Sequence, residues 1–129
     1  MSSSMNVLPK SVTLLAREEN TPPLGISPDR NRDIGFASVF LRLENHKEAN
    51  VKVTIKRIEI RNTTDSQVQM VNSSPQEIVL RPLENAEMDF QLTNKTGYSN
   101  SNPVKAVITY QIGDRVEVIE SSPVEVKRW

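Results

Sequence analysis

The stretch Ala37-Ser-Val-Phe-Leu-Arg-Leu-Glu-Asn45 decides the fold class, because its side chains alternate between two faces. One phase is apolar and the other is more polar: Ala37, Val39, Leu41 and Leu43 against Ser38, Phe40, Arg42 and Glu44. A two-residue period is typical of a β-strand with one buried face. The next residues, 45–50, have the composition of a turn, and a second alternating run begins at Val51.

The second run changes phase in its middle. Val53 and Ile55 belong to one phase, whereas Ile58 and Ile60 belong to the other. A slip of one residue moves a side chain to the opposite face of a strand. The sequence therefore predicts a β-bulge near Lys56 and Arg57, or a strand that crosses between two sheets.

Short apolar segments separated by turn residues continue along the chain, at residues 12–15, 68–71, 78–80, 88–92, 104–112, 116–118 and 124–126. No apolar period of 3.6 residues lasts long enough to build a helix with a core-facing stripe. We therefore predict an all-β fold, a mainly antiparallel two-sheet sandwich of about seven to eight strands. The first segment, with Pro9 ahead of it, suits a strand at the margin of a sheet.

Two local rules conflict at Gly113-Asp114, between two of these segments. A two-residue turn suits the Gly-Asp pair, but it places Ile112 opposite Arg115 and Tyr110 opposite Glu117. A longer loop that includes Arg115 pairs apolar residues instead. We predict the longer loop, because it keeps apolar residues opposite each other.

The length of 129 residues predicts one domain that spans residues 1–129. Within it we expect a disordered tail at residues 1–10 and a long loop at residues 18–33, which contains three prolines and one glycine. The first residues do not resemble a secretory signal, so the expected location is the cytoplasm.

Composition argues against several classes of function. Sixteen basic residues balance sixteen acidic ones, so no net field favours nucleic acid or an anionic membrane. There is no cysteine, which excludes disulfides and thiolate chemistry, and His46 is the only histidine. We expect no cofactor and no metal. A solvated turn residue is the simplest interpretation of His46.

From Ala37 onward the chain resembles bacterial members of the immunoglobulin-like sandwich group, including fibronectin-type modules. The resemblance depends on residues 39–45 followed by 51–55, and on the corner Ile78-Val-Leu-Arg-Pro-Leu-Glu-Asn-Ala-Glu-Met-Asp-Phe90. It implies the sandwich fold but no function, because such signatures are shared by domains with unrelated roles. The paired cysteines and core tryptophan of antibody domains are absent, since the only tryptophan is Trp129.

The best candidate for binding is Pro22-Pro-Leu-Gly-Ile-Ser-Pro28, where Leu24 and Ile26 lie between prolines. Such a segment can lie extended in the groove of a partner protein. It can equally cover the core of its own domain.

A second candidate is Tyr98, in the polar loop 94–102. An exposed tyrosine among amide and hydroxyl side chains is also found in carbohydrate sites and paratopes. A surface turn explains the same residues.

The carboxylates Glu84, Glu87 and Asp89 match no calcium loop, and strand-edge charges that keep a sheet soluble explain them better. Three Asn-x-Ser/Thr triplets, at Asn62, Asn72 and Asn94, are interpreted as turns.

We hypothesise that the chain is not an enzyme. It is expected to be an interaction module that binds another protein through a loop or along a strand edge. The alternative is a carbohydrate- or small-ligand-binding sandwich that uses the Tyr98 loop. Self-association stays open.

Overall fold

The computed structural model describes residues 7–19, with side chains from residue 11, and residues 32–128. These residues form nine strands and no helix. The strands are β1 (Val7–Glu18), β2 (Gly35–Asn45), β3 (Val51–Asn62), β4 (Val68–Asn72), β5 (Gln76–Leu80), β6 (Asn85–Asn94), β7 (Val104–Ile112), β8 (Arg115–Glu120) and β9 (Lys127–Arg128).

The nine strands make two sheets, which confirms the predicted all-β sandwich with slightly more strands than expected. Sheet A has the order β6-β2-β1-β9, and sheet B has the order β4-β3-β7-β8, with β5 also paired to β3. Every pair is antiparallel except β1 and β9, which run parallel over two residues.

The core lies between the sheets and is built by the alternation that the sequence predicts. In β2 the residues Ala37, Val39, Leu41 and Leu43 are all buried, and the residues between them are not. The fully buried Leu14 and Ile108 contribute from the other strands.

The predicted β-bulge is confirmed in β3. Opposite β7, the register shifts between Ile55 and Arg57, so that Lys56 is the extra residue. Ile55 and Ile58 are both buried as a result, while Lys56 and Arg57 are exposed. One residue thus keeps both halves of a long strand facing the same core.

The longer hairpin loop predicted at Gly113-Asp114 is wrong. Ile112 lies opposite Arg115 and Tyr110 lies opposite Glu117, so the turn has two residues. Gly113 has a φ of 60°, as the first position of a tight hairpin turn requires. Because β8 is an edge strand, it can tolerate a charged residue on its inward face, and such a residue also discourages pairing with other chains.

Two predicted boundaries also change. Residues 7–10 belong to β1 instead of the expected tail, and Glu18 ends that strand instead of opening a loop. The remainder of the predicted tail, residues 1–6, and residues 20–31 of the predicted loop lie outside the described residues.

Asparagine side chains shape several strand ends. The amide oxygens of Asn45, Asn62 and Asn72 each accept a hydrogen bond from the backbone N–H two residues later, at 2.9 Å. The Asn94 amide oxygen accepts the N–H of Gly97. The three Asn-x-Ser/Thr positions are therefore turn residues, as predicted.

Candidate interaction surface at the edge of the first strand

Strand β1 has an open side over most of its length. One side pairs with β2 from Val7 to Glu18, whereas β9 pairs with the other side only at Arg17 and Glu18. Among the described residues, no strand pairs with Ser11–Ala16 on the side away from β2. We call this side of Ser11–Ala16 the β1 edge. The expectation of a marginal strand here is therefore confirmed for most of β1.

The β1 edge lacks the features that usually protect edge strands. Its sequence, Ser-Val-Thr-Leu-Leu-Ala, has no charge and no proline. Exposed edges are normally shortened, charged, bulged or covered, because their free N–H and C=O groups can pair with another chain. In the part of the chain that the structure describes, the β1 edge is limited at its two ends, by β9 and by the bulge between Pro9 and Ser11.

The other edges do have such protection. Strand β6 carries Glu87 and Asp89, β8 carries Glu117, and β5 has five residues and Glu77. Strand β4 is uncharged, but it also has only five residues. In addition, the Asn94 side chain donates a hydrogen bond to the Gln69 carbonyl at 3.0 Å and so covers β4.

A groove of about 580 Å³ lies beside the β1 edge. Its walls are residues 14–17 of β1 and residues 124–127 of the C-terminal segment. That segment leaves sheet B at Val124, which pairs with Val104, and reaches sheet A at β9. The chain therefore crosses the open side of the sandwich and leaves an apolar channel next to β1.

On the solvent side of sheet A, apolar residues continue from the β1 edge. Leu15 is 60% exposed and lies opposite Ser38, between the half-buried Phe36 and Phe40 on the same face. Diagonal neighbours on a sheet are about 7–8 Å apart, within reach of such side chains. The Arg17 guanidinium lies over the Phe36 ring, 4.3 Å from its centre. We call Leu15, Phe36 and Phe40 the outer patch.

A buried polar cluster holds the C-terminal end of β1 in place. The Glu18 carboxylate accepts the backbone N–H of Tyr98 at 2.7 Å and pairs with Arg128 at 3.3 Å. Gly97, with a φ of 72°, packs directly against Glu18, and a Cβ there would collide with the carboxylate. The cluster joins β1, the β6–β7 loop and β9, and so fixes one end of the β1 edge.

Tyr98 does not present its ring to solvent. Only 8% of the residue is exposed, and its hydroxyl donates a 2.7 Å hydrogen bond to the Phe36 carbonyl. Burial, and then the nearby Glu18 charge, raise the pKa of Tyr98 far above its ordinary value. The expectation of an exposed aromatic is therefore wrong, and the carbohydrate alternative loses the residue that motivated it.

Leu24 and Ile26 lie outside the described residues, so their role in binding stays a prediction. The described residues on either side of them meet, since the Glu19 N–H donates to the Ile34 carbonyl at 2.8 Å. Glu19 and Ile34 therefore lie next to each other at the C-terminal end of β1.

The three candidate carboxylates, Glu84, Glu87 and Asp89, lie at exposed or half-exposed positions. Glu84 accepts the backbone N–H of Arg81 and pairs with its side chain, which lowers the pKa of Glu84. Glu87 and Asp89 lie two residues apart on exposed positions of β6, and His46 lies beside Glu44. Within residues 7–19 and 32–128, no three metal-binding side chains come together.

The sequence interpretation missed Leu15, Phe36 and Phe40. A signal existed in the pair Leu14-Leu15, because two consecutive apolar residues in a strand place one of them outward. Phe36 and Phe40 fall in the solvent-facing phase of β2, a further sign of an apolar outer face. The sequence near β1 does not indicate which side of the strand is open. That side is determined by the pairing of β1 with β9, which is distant in the sequence.

The described residues thus define a two-sheet sandwich in which no other described strand covers most of the β1 edge. No known protein family and no curated protein matches the sequence. Among solved structures, the chain is similar to the β-glucosidase EmGH1 of Erythrobacter marinus, at 13% identity and a TM-score of 0.45. It is also similar to a β-glucosidase of Listeria innocua in complex with glucose, at 15% identity and a TM-score of 0.40.

These matches cover 93% and 91% of this chain but only 15% and 16% of the two enzymes. Similarity at this level supports no inference about function. The resemblance to the immunoglobulin-like group stays a prediction. Among the described residues there is no helix of the length and apolar character needed to cross a membrane.

Proposed function

We propose that this chain is a non-enzymatic interaction module that binds another protein by accepting a strand along the β1 edge. The observation that supports the proposal is the combination of open backbone groups and apolar surface at Ser11–Ala16. Main-chain hydrogen bonds give affinity in strand addition, and pockets for alternate side chains give specificity.

Each face of the edge offers apolar contacts to an added strand. Inward side chains of the added strand would meet Leu14, Ala16 and Val126 at the groove, whereas outward ones would meet Thr13 and Leu15. A suitable partner segment is therefore extended, uncharged and apolar on both faces in its centre. The outer patch extends the apolar surface beyond β1 itself.

The test is capture of partners from the lysate of the source organism by tagged wild type and by two matched variants. Leu15→Lys places a charge on the β1 edge, and Val79→Lys places one at a similarly exposed position, 54%, on the far sheet. We expect Leu15→Lys to lose the captured protein and Val79→Lys to keep it. Both variants should unfold at the same urea concentration as wild type, within error.

A third variant separates the edge from the loop prediction. Replacing residues 22–28 with a Gly/Ser linker removes Leu24 and Ile26 but leaves the β1 edge unchanged. Strand addition predicts that capture survives this replacement. It also predicts that the alternate amides of residues 11–16 whose N–H groups point away from β2 become protected from hydrogen exchange in the complex. Capture that is lost with the linker and kept with Leu15→Lys would assign binding to the loop instead.

A further inference from the structure

The β1 edge has the chemistry of a strand that can pair with itself. Its inward residues Val12, Leu14 and Ala16 are apolar, and its outward face carries Leu15 beside the uncharged Ser11 and Thr13, so both faces of the edge accept another uncharged strand. Strand edges with these properties recognise identical edges as readily as foreign ones. This inference rests on the strand addition at the β1 edge that the proposed function describes, and it adds a second copy of this chain as a partner at that edge.

We propose that the β1 edge pairs antiparallel with the β1 edge of a second copy of this chain, which joins two copies of sheet A into one continuous sheet. The arrangement is isologous, because each copy uses the same residues around a two-fold axis. The segment Ser11–Ala16 carries no charge, so the paired residues themselves bring no like charges together.

The pleat restricts the register of such a pair. A two-fold axis perpendicular to the sheet keeps inward residues opposite inward residues. The residue at the level of the axis must therefore lie opposite its own copy in the second strand. The ends of the edge limit the choice further, since β9 occupies Arg17 and the bulge interrupts the strand before Ser11. Only Thr13 and Leu14 can then lie at the centre of a pairing of five residues.

A centre at Leu14 gives the better set of cross-strand pairs. It places Leu14 opposite Leu14 of the second copy, Val12 opposite Ala16, and Thr13 opposite Leu15. The two Leu15 side chains then become diagonal neighbours on the outer face, and each covers part of the other. A centre at Thr13 would place Ser11 opposite Leu15 and leave Ala16 without a partner.

The first experiment measures self-association of the untagged full chain by sedimentation velocity over a wide range of concentrations. We expect a concentration-dependent dimer, since five paired residues make an interface smaller than the roughly 1,200 Å² of most stable complexes. Leu15→Lys removes both leucines from the outer face and should weaken dimerisation at least about tenfold. Val79→Lys should dimerise like wild type.

The second experiment tests the register and uses the fact that the chain has no cysteine. Directly opposite residues in an antiparallel pair have Cα atoms about 4.5–5.5 Å apart, a distance that a disulfide can span. Thr13→Cys protein mixed with Leu15→Cys protein should therefore form a disulfide-linked heterodimer under mild oxidation. Each variant alone should crosslink far less, because its own cysteines are diagonal neighbours. Val79→Cys mixed with Thr13→Cys serves as the control for random collision.

The outcomes are distinct. Dimerisation that Leu15→Lys weakens, together with crosslinking of the mixed pair, supports the inference. A monomer at every concentration overturns it, and edge-dependent capture of a different protein by that monomer would leave the proposed function intact. A dimer that is insensitive to Leu15→Lys overturns it as well. A monomer in which the amides of residues 11–16 that point away from β2 are already protected from hydrogen exchange would show that a segment of the same chain covers the edge, against both proposals.

Discussion

At the scale of single residues, the hydroxyl of Tyr98 is the clearest test of the cluster that holds β1. Tyr98→Phe removes the hydrogen bond from the Tyr98 hydroxyl to the Phe36 carbonyl, while Phe36 stays paired with β1 and β6. We expect a loss of about 0.5–1.5 kcal/mol in the free energy of unfolding, measured by urea denaturation. Tyr110→Phe is the control, because the Tyr110 hydroxyl has no hydrogen-bond partner among the described residues. Equal losses in the two variants would contradict the role given to the Tyr98 hydroxyl.

The same residue predicts a dependence of stability on alkaline pH. The pKa of Tyr98 is raised above 10.0 in the folded protein, first by burial and then by Glu18. Above about pH 10 the unfolded chain loses this proton while the folded protein keeps it, so stability must fall as the pH rises. We expect the free energy of unfolding of wild type to fall more steeply than that of Tyr98→Phe from about pH 9 upward. Tyr110, whose pKa is also raised, is common to both proteins and cancels in the comparison. Parallel curves would refute the assignment.

Gly97 and Gly113 both have a positive φ, but Gly97 alone of the two packs against Glu18. Alanine at each position therefore separates the cost of the collision with Glu18 from the cost of backbone strain. Gly113 has open space around its α-carbon, so Gly113→Ala should cost only the backbone strain of about 1–2 kcal/mol. Gly97→Ala adds a collision with the Glu18 carboxylate and should be clearly more destabilising. Thermal unfolding of both variants measures the difference. If Gly97→Ala costs no more than Gly113→Ala, the contact with Glu18 does not restrict this position.

At the scale of strands, the bulge in β3 makes a prediction about deletions. Removing Lys56 leaves Ile55-Arg57-Ile58-Glu59-Ile60, a regular alternation in which every isoleucine still faces the core. The deletion should therefore fold, and urea denaturation should give a midpoint close to that of wild type. Removing Thr54 instead shifts Lys52 into the buried position of Val53, where an unpaired charge is strongly unfavourable. That variant should fail to fold, and a folded Thr54 deletion would contradict the register of β3.

The strands that could be predicted are those whose evidence is local. The alternation in residues 37–45 and the change of phase after Ile55 required no knowledge of the partner strands. The length of the turn at Gly113 could not be predicted from local sequence. The two-residue turn places Glu117 on the inward face of β8, and this is acceptable only because β8 is an edge strand. Sheet order is set by contacts between distant parts of the chain, and the β1 edge was missed for the same reason.

At the scale of the whole molecule, the two sheets share one core and should therefore unfold together. Leu41 in sheet A and Ile60 in sheet B are both fully buried in the same apolar cluster. Small single domains of this kind usually unfold in one cooperative step. Strand pairs at the edges, such as β1 with β9 over two residues, have far fewer backbone bonds to lose and can open locally.

This predicts how a core substitution in one sheet affects the other. Leu41→Ala should lower the free energy of unfolding by about 2–5 kcal/mol, because the cavity forms in a fully packed site. Hydrogen exchange should then show an equal loss of protection for the slowest amides of β2 in sheet A and of β3 and β7 in sheet B. Amides of β8 and β9 should change little, since they exchange through local opening that does not expose the core. A loss confined to sheet A would mean that the sheets unfold independently, and a strand added at the β1 edge would then stabilise sheet A alone.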